Sequence, residues 1–137
     1  MEQILVPVSW GELIDKITIL EIKEHRISAP TQLMNVRREL DALVKVRNRH
    51  APAATGWLVL ADSIKAANEQ LWELEDAIRE CERIEDFGTR FIEVARAIYQ
   101  TNDQRAALKR KLSQSIRSGF LEEKSYQSYT RNAEERR

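Results

Sequence analysis

The sequence predicts an all-α domain: an antiparallel four-helix bundle-like fold with a short extended N-terminal arm and a C-terminal tail. Three observations predict it. Apolar residues recur at helical spacing through four stretches. Only 4 Gly and 3 Pro occur in 137 residues, little turn material for a β-rich chain. The breaks between the stretches are short, which suits antiparallel neighbours. The expected organisation is an arm at 1–8, a single helical domain at 9–119 and a tail at 120–137, whose last residues are expected to be disordered.

In the arm, Ile4, Val6 and Val8 alternate with Leu5 and Pro7, an extended pattern that Pro7 confines to an edge strand at most. Ser9-Trp10-Gly11-Glu12 fits a capping box, in which the Ser9 oxygen takes the Glu12 amide proton and Glu12 reaches back to the Ser9 amide. Helix one is expected to run to about Ile27. Leu13, Ile17, Leu20 and Ile27 form one face, and Ile14, Ile19 and Ile22 widen it beyond a normal stripe. A helix apolar on more than one side is buried by several neighbours or by a second copy of the chain, so a homodimer is expected. Pro30 suits the first turn of helix two, which Leu33, Val36, Leu40, Leu43 and Val44 carry to about Arg49. His50–Thr55 is the longest loop. Helix three spans about Gly56 to Ile84, Asp86–Thr89 is a turn, and helix four continues to a stop at Gly119.

Lys+Arg and Asp+Glu number 22 each, so the net charge is zero. That balance argues against broad capture of nucleic acid or of an anionic membrane. No apolar run approaches the roughly 18 residues of a membrane-spanning helix, and the start of the chain lacks a secretion signal. One cysteine excludes an internal disulfide and suits a cytoplasmic, reducing setting.

Chemistry is most visible where polar residues interrupt helical rows. On helix four, Asn102, Arg105 and Lys109 fall on the row of Phe91, Ala95, Ile98, Leu112 and Ile116. Asn68, Trp72, Glu75 and Arg79 form a row on helix three, and Glu12, Lys16 and Lys23, with Asp15 beside them, a row on helix one. If the rows meet, they enclose a mixed-charge cluster, and buried charges must pair with each other or with a ligand. One reading is a self-satisfied network that fixes helix register. The other is a pocket in which Lys16, Lys23, Arg79, Arg105 and Lys109 hold a carboxylate or phosphate. Asn68, Trp72 and Asn102 would then line it, with Glu75 as the candidate catalytic acid or base.

Glu69, Glu73, Asp76 and Glu80 share a face and Glu12-x-x-Asp15 adds two carboxylates, as Mg²⁺-binding pairs do in all-helical nucleotide pyrophosphatases, but interspersed Lys65, Arg79 and Arg83 favour a solvated face. His25 and His50 have no partner at metal-ligand spacing, so no metal site is expected, and no motif calls for a cofactor. Cys81 lies on an apolar row as a small core residue. Asn35–Leu43 is locally similar to the first helix of all-helical chorismate mutases, which bind a dicarboxylate between helices. Here that stretch lies on the second helix, and a proline-bearing loop follows it.

A broader likeness covers nearly the whole chain. Its residues are Val6-Pro7-Val8-Ser9, the run Gly11–Lys23, Asn35–Leu40, Asn68-x-x-Leu71-Trp72-x-x-Glu75-Asp76-x-Ile78-Arg79, Asn102-Asp103-x-Arg105-Ala106-x-Leu108-Lys109 and Glu123-Lys124-Ser125-Tyr126-x-x-Tyr129. Together they resemble a bacterial family of small helical proteins classed only as a domain of unknown function. The resemblance implies a helical protein without an assigned activity and hints at an accessory role in surface-polysaccharide biosynthesis. Trp10 stands where the resemblance leads one to expect Pro. Two functions stay open: a non-catalytic interaction or assembly module, whose partners are itself and another cytoplasmic protein, and a small-anion-binding protein or enzyme.

Overall fold

The computed structural model describes residues 3–116 and 128–129 of the chain. Four helices follow one another: α1 (Trp10–Arg26), α2 (Pro30–His50), α3 (Trp57–Arg83) and α4 (Thr89–Ser115). The described residues contain no strand. Residues 3–8 lead into α1 without regular structure, and their side chains are exposed. The Gly119 stop and most of the expected tail lie outside the described residues. Tyr129 is described, and its ring meets Tyr99 of α4 edge-on at 5.4 Å between centroids.

Local chemistry sets the helix ends. Ser9 sits in extended geometry, and its Oγ accepts the Glu12 amide proton at 3.1 Å. The reciprocal half of the expected capping box does not form, because the Glu12 carboxylate turns to Lys109 of α4 instead. Pro30 opens α2, where its missing N–H costs nothing. At the end of α3 the Asp86 amide donates to the Cys81 carbonyl at 2.9 Å and the Glu85 amide to the Glu82 carbonyl at 3.2 Å. This is a Schellman closure, with Glu85 at φ 57° in the left-handed position that glycine normally takes. The Asp86 side chain then accepts from the Gly88 amide at 3.1 Å and turns the chain into α4.

The arrangement is a helical bundle with α1 in the middle. α3 and α4 form one hairpin, α1 packs on both of them, and α2 covers the far side of α1. The Cα atoms of α2 come within 8 Å of α1 but not of α3 or α4. This explains the over-wide apolar surface of α1. Leu13, Ile14, Ile17, Leu20 and Ile22 are all buried inside one chain because α1 has three helical neighbours. The feature that suggested a second copy is therefore accounted for by the fold itself. Val36 and Leu40 of α2, Trp57 and Ile64 of α3 and Leu112 of α4 complete the core. Full burial of each such side chain contributes roughly 1.5–3 kcal/mol.

Gly11 fixes how closely α1 and α4 approach. A Cβ at this position would strike the Lys109 carbonyl group, with the Lys109 carbonyl carbon and Ser113 Oγ each 2.8 Å away. The close approach lets the Gly11 amide donate to Ser113 Oγ at 2.9 Å, tying the start of α1 to the end of α4.

Candidate functional site

The polar rows of α1, α3 and α4 meet in the interior, but only in part. Asn68 is the junction. It is 5% exposed, and its amide nitrogen donates to Asp15 Oδ1 at 2.8 Å and to Thr18 Oγ1 at 2.9 Å. Its carbonyl oxygen accepts from Arg105 Nη1 at 3.0 Å. One side chain thus joins three helices. Thr18 in turn donates to the Asp15 backbone carbonyl at 2.8 Å, and Arg105 Nη2 donates to Asn102 Oδ1 at 3.1 Å.

Charges inside the cluster face opposite charges. Arg105 lies 3.8 Å and Lys109 3.7 Å from the Asp15 carboxylate, and Lys109 Nζ is 2.7 Å from Glu12 Oε1. The two cations answer the two carboxylates. Lys109 and Asp15 are buried, so each needs the other: an unpaired charge there would cost several kcal/mol. Glu12 is half-exposed and Arg105 about a quarter exposed, which leaves this end of the network in contact with solvent.

The structure brings together Asn68, Asn102, Arg105 and Lys109 among the sequence-predicted site residues. It places the others elsewhere. Lys16 is exposed and pairs with Glu39 of α2 at 2.9 Å. Lys23 is half-buried on α1 with no ion pair among the described residues. Trp72 is half-buried under the Arg26 guanidinium, 5.6 Å above its ring, and Arg26 also pairs with Glu73. Glu75 and Arg79 pair with each other along α3 and do not touch the Asp15–Asn68 cluster.

Three contributors were not singled out from sequence. Thr18 lies one turn after Asp15, on the same face, and Ser113 one turn after Lys109 on α4. Arg26, the last residue of α1, gave no signal beyond its charge. The carboxylates of the acidic row are spread out. Glu73 is taken by Arg26 and Glu80 by Arg83, whose hydrogen bond holds the exposed Glu80 carboxyl below its ordinary pKa and raises that of Arg83. Among the described residues no three His, Cys, Asp or Glu side chains gather closely enough to share a metal ion. Cys81 is a free, buried thiol.

A family model described as a family of unknown function (DUF6165) matches residues 4–133. The chain belongs to this family. The DUF6165 match spans the exposed arm, all four helices and Tyr129. No curated protein and no solved structure matches the chain.

Proposed function

We propose that this DUF6165 protein is a non-catalytic interaction and assembly module, and that its interior polar cluster holds the helices in register. The supporting observation is the Asn68 carboxamide, which donates twice and accepts once without leaving the chain. A cation already neutralised by a carboxylate attracts an incoming anion less strongly than an unpaired one. Here Arg105 and Lys109 already face Asp15 and Glu12. Glu75, the one acid–base candidate, is tied to Arg79 away from that cluster.

Partners are proposed to include a second copy. The fold leaves large apolar side chains uncovered on the arm, on α2 at Met34 and Val46, and at the α3–α4 end at Ile84, Phe87 and Ile92. Large apolar side chains left exposed are available to a partner surface.

The test compares the native protein with the Arg105→Gln/Lys109→Met variant. Both are melted against dicarboxylates, sugar phosphates and nucleotides, with and without Mg²⁺. The expected result is no ligand-dependent rise for the native chain, and a variant destabilised by about 3–5 kcal/mol from broken buried pairs. A ligand at 100 times its Kd would add about 2.7 kcal/mol. Such a rise, lost in a variant that stays well folded, would replace this reading with the anion-binding one.

A further inference from the structure

Several features gather at the end of the molecule where α1 starts and α4 finishes. Ile4 and Leu5 are each 89% exposed, Val6 65% and Val8 51%. The backbone of residues 3–8 makes no hydrogen bond to another described residue. An extended apolar segment with open N–H and C=O groups is a template for pairing, which proteins normally cover or blunt.

The same end carries a cavity of about 290 Å³ bordered by Pro52, Ala54, Gly56, Trp57, Ser115 and Ile116. That is at the lower limit of the roughly 300–1,000 Å³ of small-molecule sites, a size better suited to one or two aliphatic side chains. Its lining is mainly apolar and lacks a charged side chain. Trp57 forms one wall and also packs against Trp10, 6.2 Å between ring centroids, directly after the arm. The Trp57 indole N–H is the one buried side-chain polar atom without a hydrogen-bond partner among the described residues. Leaving such a donor unsatisfied is costly.

We infer that residues 3–8 of one copy seat in the Trp57 cavity of a second copy. This rests on the self-association proposed above and names its contact. The arm supplies what the cavity lacks: aliphatic side chains for its walls and backbone carbonyls, one of which takes the Trp57 N–H once the exposed 52–56 loop adjusts. Because arm and cavity lie at the same end, a two-fold axis there satisfies both copies at once, each arm entering the other's cavity. Such an isologous exchange closes on itself as a dimer and does not propagate.

The experiment mixes two single variants of the full chain, Leu5→Cys and Ala54→Cys, one of them isotopically labelled, under mild oxidation. Both positions are exposed, so the fold is not at risk, and buried Cys81 makes the native chain the control. The expected product is a mixed disulfide dimer joining a labelled to an unlabelled chain. Leu5→Asp is expected to weaken dimerisation at least tenfold by light scattering. A native dimer that yields no mixed disulfide and tolerates Leu5→Asp would overturn the arm contact and leave self-association standing. A monomer at micromolar concentration would overturn both. A Leu5→Cys/Ala54→Cys double variant that closes within one chain would show the arm serving its own cavity and overturn the exchange.

Discussion

The Asn68 amide nitrogen lies 2.8 Å from one carboxylate oxygen of Asp15, and both groups are buried. This short contact between α3 and α1 determines how the interior responds to substitution. Asn68→Asp keeps the shape but replaces a donor with an acceptor facing a carboxylate, while Thr18 also loses its incoming bond. The expected cost is about 3 kcal/mol, from an unsatisfied buried charge. Urea unfolding followed by circular dichroism measures it. A loss below about 1 kcal/mol would mean that the junction is wetter than its burial implies.

A second expectation concerns Gly11. Alanine here drives a methyl group into the Lys109 carbonyl, a backbone atom that cannot rotate away. α1 must then lift off α4, stretching the Gly11–Ser113 bond and the Lys109 pairs with it. Overpacking of this kind costs about 1–3 kcal/mol. Thermal unfolding of Gly11→Ala should show a lower midpoint than that of Ala66→Gly at an exposed position of α3, a propensity loss of about 1 kcal/mol.

Two lysines of α1 and α4 separate surface from interior. Lys16–Glu39 is an ion pair whose side chains are about half exposed, so Lys16→Ala should cost less than about 1 kcal/mol and matter less in high salt. Lys109→Met leaves Asp15 buried with one cation fewer and Glu12 without its partner, and should cost about 3–5 kcal/mol. The two unfolding curves, measured at low and high salt, check the contrast.

One change should stabilise the protein. Glu85 occupies the left-handed region at φ 57°, where a Cβ is disfavoured by about 1–2 kcal/mol. Glu85→Gly relieves that strain but frees the unfolded chain, for a net gain of about 0.5–1 kcal/mol. A higher urea midpoint at unchanged slope is the expected readout.

Much of the fold is legible in the sequence because its signals are local. The Ser9 cap, Pro30 in a first turn and the break around Asp86–Gly88 act within a few residues, and the starts of α1, α2 and α4 follow from them. The polar cluster is legible by half, for a geometric reason. A row on a helix states which residues share an azimuth but not which neighbour that azimuth faces. Glu12 and Lys16 stand one turn apart, yet the first turns to α4 and the second to α2. Glu75 and Arg79 continue the row of Asn68 but have no α1 opposite them. α1 is 17 residues long against 27 for α3, and its last residue, Arg26, already reaches Glu73. The expected pocket needed α1 to run further.

α2 leans on α1 alone, burying only Val36 and Leu40 along 21 residues. The Asp15–Asn68–Arg105 junction lies wholly on the other three helices. Opening of α2 would leave that polar interior intact, so α2 is expected to open at lower free energy than the other three helices. Backbone amides of α2 should exchange with solvent well before those of α1, the helix it covers. Each such opening briefly bares Leu13, Ile17 and Leu20, an apolar strip that the closed protein hides.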